Sequence, residues 1–355
     1  MAGCENATVR PEGANFLNSD MILVIAHRGA SALLPEHTLA AYAKAMADGA
    51  DVIEPDLVAT RDGYLVARHE SEISGTTDIA DHAEFADRRT RKRIDGRDVE
   101  GWFTEDFTLV EIKTLRVRER LPHLRGTQHD GAFAIPTLAE IIDLVTAEAA
   151  TSGRAVGIAP ELKHSTYFRE AGLPLEDALL AELDAHPHTR RAPVLIQSFE
   201  IANLRYLRSR LRDGNANIRL IQLIGNPDDV PSDAAAGDKP LRYADMTTPE
   251  ALRHIAHYAD AIGVQSRRVV RVDANGKLGQ PTALVWNAHA AGLQVLAYTF
   301  RPENTFLPRT LWQGADPRTR NEAGSIAEIR AHLDAGIDGF FADDPALGRK
   351  ALHAR

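Results

Sequence analysis

The sequence holds a single cysteine, Cys4. An internal disulfide is therefore excluded, and with it a disulfide-built scaffold. No apolar run approaches the roughly 20 residues that a membrane-crossing helix needs, so an integral helical membrane protein is excluded too. Signature stretches of several enzyme classes are missing. There is no Gly-x-Ser-x-Gly elbow, no Cys-x-x-Cys pair, no P-loop, and no Gly-x-Gly-x-x-Gly after the first strand. Basic charge is not in excess: Lys plus Arg number 41 against 50 Asp plus Glu, a net charge of −9. A nucleic-acid partner is not expected from that balance. One dense basic run, Arg88-Arg89-Thr90-Arg91-Lys92-Arg93, reads either as a solvated face or as a patch that attracts anionic substrate. Residues 1–20 are polar and lack the apolar core of a signal peptide. As written, the chain reads as cytoplasmic.

What is present is the balance of a globular protein, 44% apolar and 26% charged in 355 residues. That length suits two domains of roughly 150 residues, or one barrel of about 250 residues with an insertion. The pattern favours the second. Residues 1–20 read as a tail. Met21 to Ala26 is a short continuous apolar run, the mark of a fully buried strand. Thr38 to Asp48 has helical spacing with Thr38 as N-cap. Asp51–Leu57 and Tyr64–His69 read as a second and third strand, too close together for a crossover helix. From Ile73 to Phe133 the chain is charged and irregular, apart from a helix over Thr108–Arg116 with a Thr108/Glu111 capping box. A stretch of this length reads as an insertion at about 73–133 within a barrel domain spanning 21–355. Helix and strand then alternate to the end, with strands at Val156–Lys163, Pro193–Phe199, Ile218–Ile224, Ala261–Gln265, Leu293–Phe300 and Gly339–Ala342. Repeated β-α-β units imply a parallel sheet, and this many predict a closed TIM-type (β/α)8 barrel. The count gives one strand too many, and Ala261–Gln265 is the one expected to lie outside the barrel. Pro302-Glu303-Asn304-Thr305 reads as a loop.

Active sites of such barrels sit at the C-terminal strand ends. Those ends carry His27-Arg28, Glu54 and Asp56, His69-Glu70, and Glu161 and Lys163. Residues two apart on a strand share a face, so Glu54 pairs with Asp56, and Glu161 with Lys163. Three converging carboxylates need a neutralising partner, and a hard divalent cation with oxygen ligands provides it. His27 and His69, without cysteine partners, suit proton transfer at neutral pH. Arg28 can clamp a phosphate with two parallel hydrogen bonds. Together these read as metal-assisted phosphoryl chemistry. Each has a plainer reading as well: structural ion pairs for the acidic residues, a satisfied core histidine for His27. His164, beside Lys163, is ambiguous.

Several stretches together resemble the glycerophosphodiester phosphodiesterases. They are His27-Arg28-Gly29, Pro35-Glu36-His37-Thr38, Glu54-Pro55-Asp56, Thr60-Arg61-Asp62-Gly63, His69, Glu161-Leu162-Lys163, Gln197-Ser198-Phe199 and Ala342-Asp343-Asp344-Pro345. Gly101-Trp102-Phe103-Thr104 and Phe107-Thr108-Leu109 in the insertion look most like the bacterial periplasmic branch. The resemblance implies a barrel of the phospholipase-C-like phosphodiesterase type with an inserted cap. It implies Glu54, Asp56 and Glu161 as ligands of Ca2+ or Mg2+. It implies His27 and His69 as the acid–base pair, with Arg28 and Lys163 near the phosphate. The implied reaction hydrolyses small glycerophosphodiesters, such as glycerophosphocholine, to sn-glycerol 3-phosphate and an alcohol. The implied location is periplasmic or secreted, against the polar N-terminus. Two departures stand out: Glu70 where the family commonly has Asp, and Ile73-Ser74-Gly75-Thr76-Thr77 where an Arg is usual at the third place. Two other readings share the site: a phosphodiesterase acting on intact lipid, and a non-catalytic protein that binds glycerophosphodiesters.

Overall fold

The computed structural model describes residues 21–211, 215–235 and 240–353; the expected tail, 1–20, lies outside them. Among the described residues there are fifteen strands: β1 Leu23–His27, β2 Val52–Glu54, β3 Asp56–Ala59, β4 Leu65–Ala67, β5 Thr90–Ile94, β6 Arg97–Gly101, β7 Gly157–Ile158, β8 Glu161–Leu162, β9 Val194–Ser198, β10 Ile218–Ile224, β11 Ala261–Gln265, β12 Val270–Val272, β13 Leu278–Pro281, β14 Gln294–Phe300 and β15 Gly339–Ala342. Pairing runs β1-β2-β7-β9-β10-β11-β14-β15 and back to β1, all parallel. This is the closed eight-stranded barrel.

The expected strand count is corrected here. Ala261–Gln265 is β11, a full barrel stave between β10 and β14. The extra segment is β4, which folds back antiparallel on β3 as a hairpin. Its apolar run resembles a stave because β4 is buried under α4, Leu138–Ser152. Two expected long strands are each split by a proline without a ladder donor: Pro55 separates β2 from β3, and Pro160 separates β7 from β8.

Alternation within the staves builds two cores. Leu23, Ile25, Val52, Ala159, Leu195, Ile221, Leu223, Ala261, Leu296 and Phe341 form one cluster, the filled interior expected of a small barrel. Their strand neighbours Val24, Ala26, Ile53, Ile158, Ile196 and Phe340 belong to the larger cluster that includes the helices. The first helix, α1 Leu39–Ala47, starts where Thr38 Oγ1 accepts from Ala41 N at 3.1 Å. Gly29 makes the preceding turn possible. Its φ is +89°, and a Cβ there would lie 2.8 Å from the Ala41 backbone.

Residues 73–133 leave the barrel after the hairpin and return at α4. They contain the β5–β6 hairpin, α2 Leu109–Ile112 and α3 Pro122–Arg125. The helix expected over Thr108–Arg116 is shorter, four residues long, but its Thr108/Glu111 capping box is present. Phe85, Phe107 and Ile112 pack into the same core as the barrel helices. The basic run enters the β5–β6 hairpin, with Arg88 and Arg89 just before β5 and Arg91–Arg93 on it, and is met by carboxylates: Arg88 pairs with Glu111, Arg89 and Arg91 with Glu100, and Lys92 with Glu105 and Asp106.

Candidate active site at the barrel mouth

Continuing the barrel's inner alternation by two residues leads to the site. Ile25 is followed by His27, Val52 by Glu54, Ala159 by Glu161, Leu195 by Gln197, and Phe341 by Asp343. These side chains and their neighbours surround a cavity of about 400 Å³, whose lining includes the polar His27, Arg28, Glu54, His69, Glu161, Gln197 and Arg301 and the aromatic Phe199, Tyr298, Phe306 and Phe341. That volume suits a small organic ligand. A larger groove, about 640 Å³, opens on the outer helical face beside Asp177, Leu183 and Arg190 and shares none of these residues.

Glu54, Asp56 and Glu161 are buried and converge, with one oxygen from each lying within 4.8 Å of the others. Burial and the neighbouring carboxylates push Glu54 well above the usual carboxylate range. Burial also pushes Glu161 up to about 8, against the pull of Lys163. Asp56 is held well below the usual range despite burial, by Lys163, His69 and a hydrogen bond from His37. Beside them, the buried Oε1 of Gln197 has no hydrogen-bond partner, while its amide nitrogen donates to Glu54 at 3.2 Å. Three crowded carboxylates and a neutral oxygen unpartnered among the described residues form an oxygen donor set of the kind a hard divalent cation takes.

The two histidines are held alike. His27 Nδ1 donates to Asp343 Oδ1 at 2.7 Å, and His69 Nδ1 donates to Glu70 Oε1 at 2.5 Å. A carboxylate on Nδ1 fixes the tautomer and leaves the Nε2 lone pair free. Both residues line the cavity. Burial and then Arg28 hold His27 down to about 4. Burial, then Arg28 and Lys163, hold His69 down to about 3.

Arg28 has a left-handed backbone, φ 59°, in the turn between β1 and α1. Its Nη1 donates to Glu36 Oε2 at 2.9 Å, and its Nε lies 3.3 Å from Asp56 Oδ2. Lys163 Nζ donates to Glu161 Oε1 at 2.7 Å and lies 4.0 Å from Asp56. All seven residues singled out from sequence therefore meet at one mouth. His164 does not join them; its Nδ1 pairs with Asp95 Oδ2 of the β5–β6 hairpin at 2.6 Å.

Sequence reasoning missed several participants. His37, quoted only as part of a motif, bridges Tyr42 Oη at 2.8 Å and Asp56 Oδ2 at 2.9 Å, and so aims one of the triad. Asp343 and Glu70 were not given the task of holding the histidines. Glu303, placed in a loop, is buried and accepts from Arg125 Nε at 2.8 Å. Arg120 and Arg125 lay in the irregular insertion, where charge alone names no partner.

Residues 27–347 match the Glycerophosphoryl diester phosphodiesterase family. A glycerophosphodiester phosphodiesterase of Arabidopsis thaliana is 37% identical over 90% of this chain and 82% of its own length. One from Haemophilus influenzae is 30% identical over 74% and 73%. Among solved structures, a chain from Silicibacter pomeroyi has a TM-score of 0.63 at 21% identity, covering 94% of each chain. An Oleispira antarctica phosphodiesterase, solved in complex with the product sn-glycerol-3-phosphate, has a TM-score of 0.58 at 22% identity, covering 95% of this chain and 99% of its own. The match over nearly the whole barrel, together with two relatives matched over 82% and 73% of their own lengths, leads to one conclusion: the chain belongs to the glycerophosphoryl diester phosphodiesterase family.

Proposed function

We propose that the protein hydrolyses small glycerophosphodiesters to sn-glycerol 3-phosphate and an alcohol, with His27 and His69 as the acid–base pair. One observation carries this reading. Two imidazoles, each fixed at Nδ1 by a carboxylate, line the same cavity as Arg28, Glu54 and Glu161, the last two converging with Asp56. Binding alone needs no such pair.

Glu54, Asp56 and Glu161 are the proposed ligands of the cation, with Ca2+ favoured and Mg2+ the alternative. When bound there, the ion would stabilise negative charge on the phosphoryl group and acidify the glycerol 2-hydroxyl. One imidazole takes the proton of that hydroxyl. The oxygen bonds to phosphorus as the bond from phosphorus to the alcohol oxygen breaks, and the other imidazole protonates the departing oxygen. Water then opens the cyclic phosphate with the two roles exchanged. Arg28 and Lys163 offset charge on the phosphoryl oxygens. Both imidazoles are neutral at pH 7 in the free site, because burial and these cations depress them. The negative phosphodiester offsets the same cations, which favours the one proton that the acid needs.

The insertion motifs Gly101-Trp102-Phe103-Thr104 and Phe107-Thr108-Leu109 support kinship with the bacterial periplasmic branch, and with it a location outside the cytoplasm. Fractionation of cells producing the native protein tests that point. The reaction is tested by release of glycerol 3-phosphate from glycerophosphocholine, with Ca2+ or Mg2+ and with chelator. Metal-dependent release is expected. Folded protein that is inactive on every glycerophosphodiester, yet cleaves phosphatidylcholine vesicles, would replace this reading with one of intact lipid.

A further inference from the structure

The inserted residues reach the site at two points, Arg120 and Arg125. Arg120 donates to both oxygens of Glu70, Nη1 to Oε1 at 3.0 Å and Nη2 to Oε2 at 2.6 Å. Its Nε and Nη2 also reach Glu36 Oε1 at 2.8 and 2.7 Å. Glu70 is the carboxylate that holds His69, and Glu36 is the one that holds Arg28. Arg125, the last residue of α3, donates Nη2 to Asp343 Oδ2 at 2.6 Å, Nε to Glu303 at 2.8 Å and Nη1 to the Ser31 carbonyl at 2.7 Å. Asp343 is the carboxylate that holds His27. Each histidine–carboxylate pair thus ends on an arginine, and both arginines come from one short stretch of the insertion.

That stretch is itself anchored by main-chain bonds. Val117 N donates to Phe133 O, Arg118 N to Thr76 O, and Gly131 N to Val117 O. Glu119 N donates to Asp130 Oδ1 at 2.7 Å, and Leu121 N to Glu119 Oε1 at 2.8 Å. A carboxylate bonded to an imidazole through one oxygen can still swivel. A planar guanidinium on its other oxygen removes that freedom, which a lysine ammonium cannot do.

We propose that Arg120 and Arg125 are positioning residues for the acid–base pair, acting on separate arms: Arg120 through Glu70 on His69, and Arg125 through Asp343 on His27. The proposal rests on the glycerophosphodiesterase reading above. Neither arginine handles the reacting atoms. Asp343 also accepts from Arg301 Nε at 3.1 Å, so the His27 arm keeps one guanidinium when Arg125 is lost. Glu70 has no second arginine among the described residues, so the His69 arm depends on Arg120 alone.

The test uses the full chain with its divalent cation and two substrates, glycerophosphocholine and glycerophospho-p-nitrophenol. The p-nitrophenolate departs without a proton; the choline alkoxide does not. Arg120→Gln should lower kcat on glycerophosphocholine on the order of 10- to 100-fold, the scale of a misaimed catalytic group, with a rise in KM as well, because its other partner Glu36 holds Arg28. Arg125→Gln should lower kcat less. In kcat/KM, which reports steps through departure of the alcohol and not the shared opening of the cyclic phosphate, the variant whose arm carries the acid should lose much less on the p-nitrophenyl substrate, while the other loses equally on both. Both substrates are measured on the same preparation, so the folded fraction cancels in that ratio. Arg120→Lys and Arg125→Lys, which keep the charge without the fork, supply the same ratio should a glutamine variant not fold. The proposal is overturned if the wild type is active and both variants keep kcat within about twofold, less than 0.5 kcal/mol of barrier. It is overturned equally if the two variants share one substrate ratio. Wild-type protein inactive on both substrates would instead remove the functional reading, and the proposal with it.

Discussion

His27 ends a barrel strand and is held by Asp343, which follows another barrel strand, whereas His69 follows a hairpin strand outside the barrel and is held by its own neighbour, Glu70. The first pair is enclosed, with side chains 13% and 3% exposed; the second is open, at 30% and 39%. Barrel closure brings His27 and Asp343 side by side, through the β1–β15 pairing, and Arg125 then holds the other carboxylate oxygen. Nothing in the barrel ladder aims Glu70; that falls to the insertion. The same imidazole–carboxylate unit is therefore built twice, once from rigid staves and once from a hairpin end and a graft. The two copies should differ more in tolerance to damage than in chemical importance.

The largest effect expected is shared by both arms. His27→Ala and His69→Ala should each lower kcat on glycerophosphocholine by roughly 100- to 10,000-fold, the usual share of a general acid or base. Near-normal kcat in both would remove the assignment. Breaking the carboxylates should then separate the arms. Asp343→Asn leaves Arg125 and Arg301 facing a neutral group in a buried site, where loss of one partner costs about 3–5 kcal/mol. Its thermal midpoint should fall sharply. Glu70→Gln, at a half-open position, should lower kcat with the midpoint close to wild type. Equal shifts in melting of the two variants would contradict the contrast between enclosed and open arms.

The cation sharpens the comparison from the other side. Saturating Ca2+ or Mg2+ should raise the wild-type melting temperature, by about 2.7 kcal/mol of stability at a hundred times Kd. Glu161→Gln should abolish most of that rise. An undiminished rise would place the ion elsewhere. A smaller effect concerns protons. The folded His27 holds its proton only below about 4, whereas the unfolded chain takes one up near 6.5. Stability from the neutral imidazole is therefore present above 6.5 and is lost as the pH falls toward 4. In chelator-treated protein, His27→Gln should flatten this limb of the urea-derived stability profile; a limb unchanged by the substitution would refute the shift. The smallest effect is expected from Arg91→Ala on the exposed hairpin, whose surface pair with Glu100 should contribute little. Neither melting temperature nor kcat should change, and a raised KM would revive the basic run as a patch that attracts substrate.

The barrel and the strand-borne half of the site were legible because alternation is a local signal. Ile25-Ala26-His27 or Ala159-Pro160-Glu161 shows in three letters an apolar lumen residue giving way to a polar one at the mouth. The strand count failed where the local signal is ambiguous. Leu65–Ala67 is as buried and apolar as a stave, and only the tight Thr60–Tyr64 turn, closed by Thr60 N to Tyr64 O, marks it as a hairpin. Arg120, Arg125 and Glu303 were not legible at all. Their partners lie 50 to 218 residues away in sequence, and an irregular charged segment carries no period to say which charge it will meet.

The ion pair of Arg125 with Asp343 also orders events in time. The acidic triad lies between residues 54 and 161, within the first half of the chain. Asp343, the carboxylate that aims His27, follows all three in the sequence by a wide margin. Synthesis thus delivers the three candidate metal ligands well before the carboxylate that fixes His27. A chain cut before β15 would lose both the strand that closes the barrel against β1 and the carboxylate that follows it, so truncation there takes away shape and aim together.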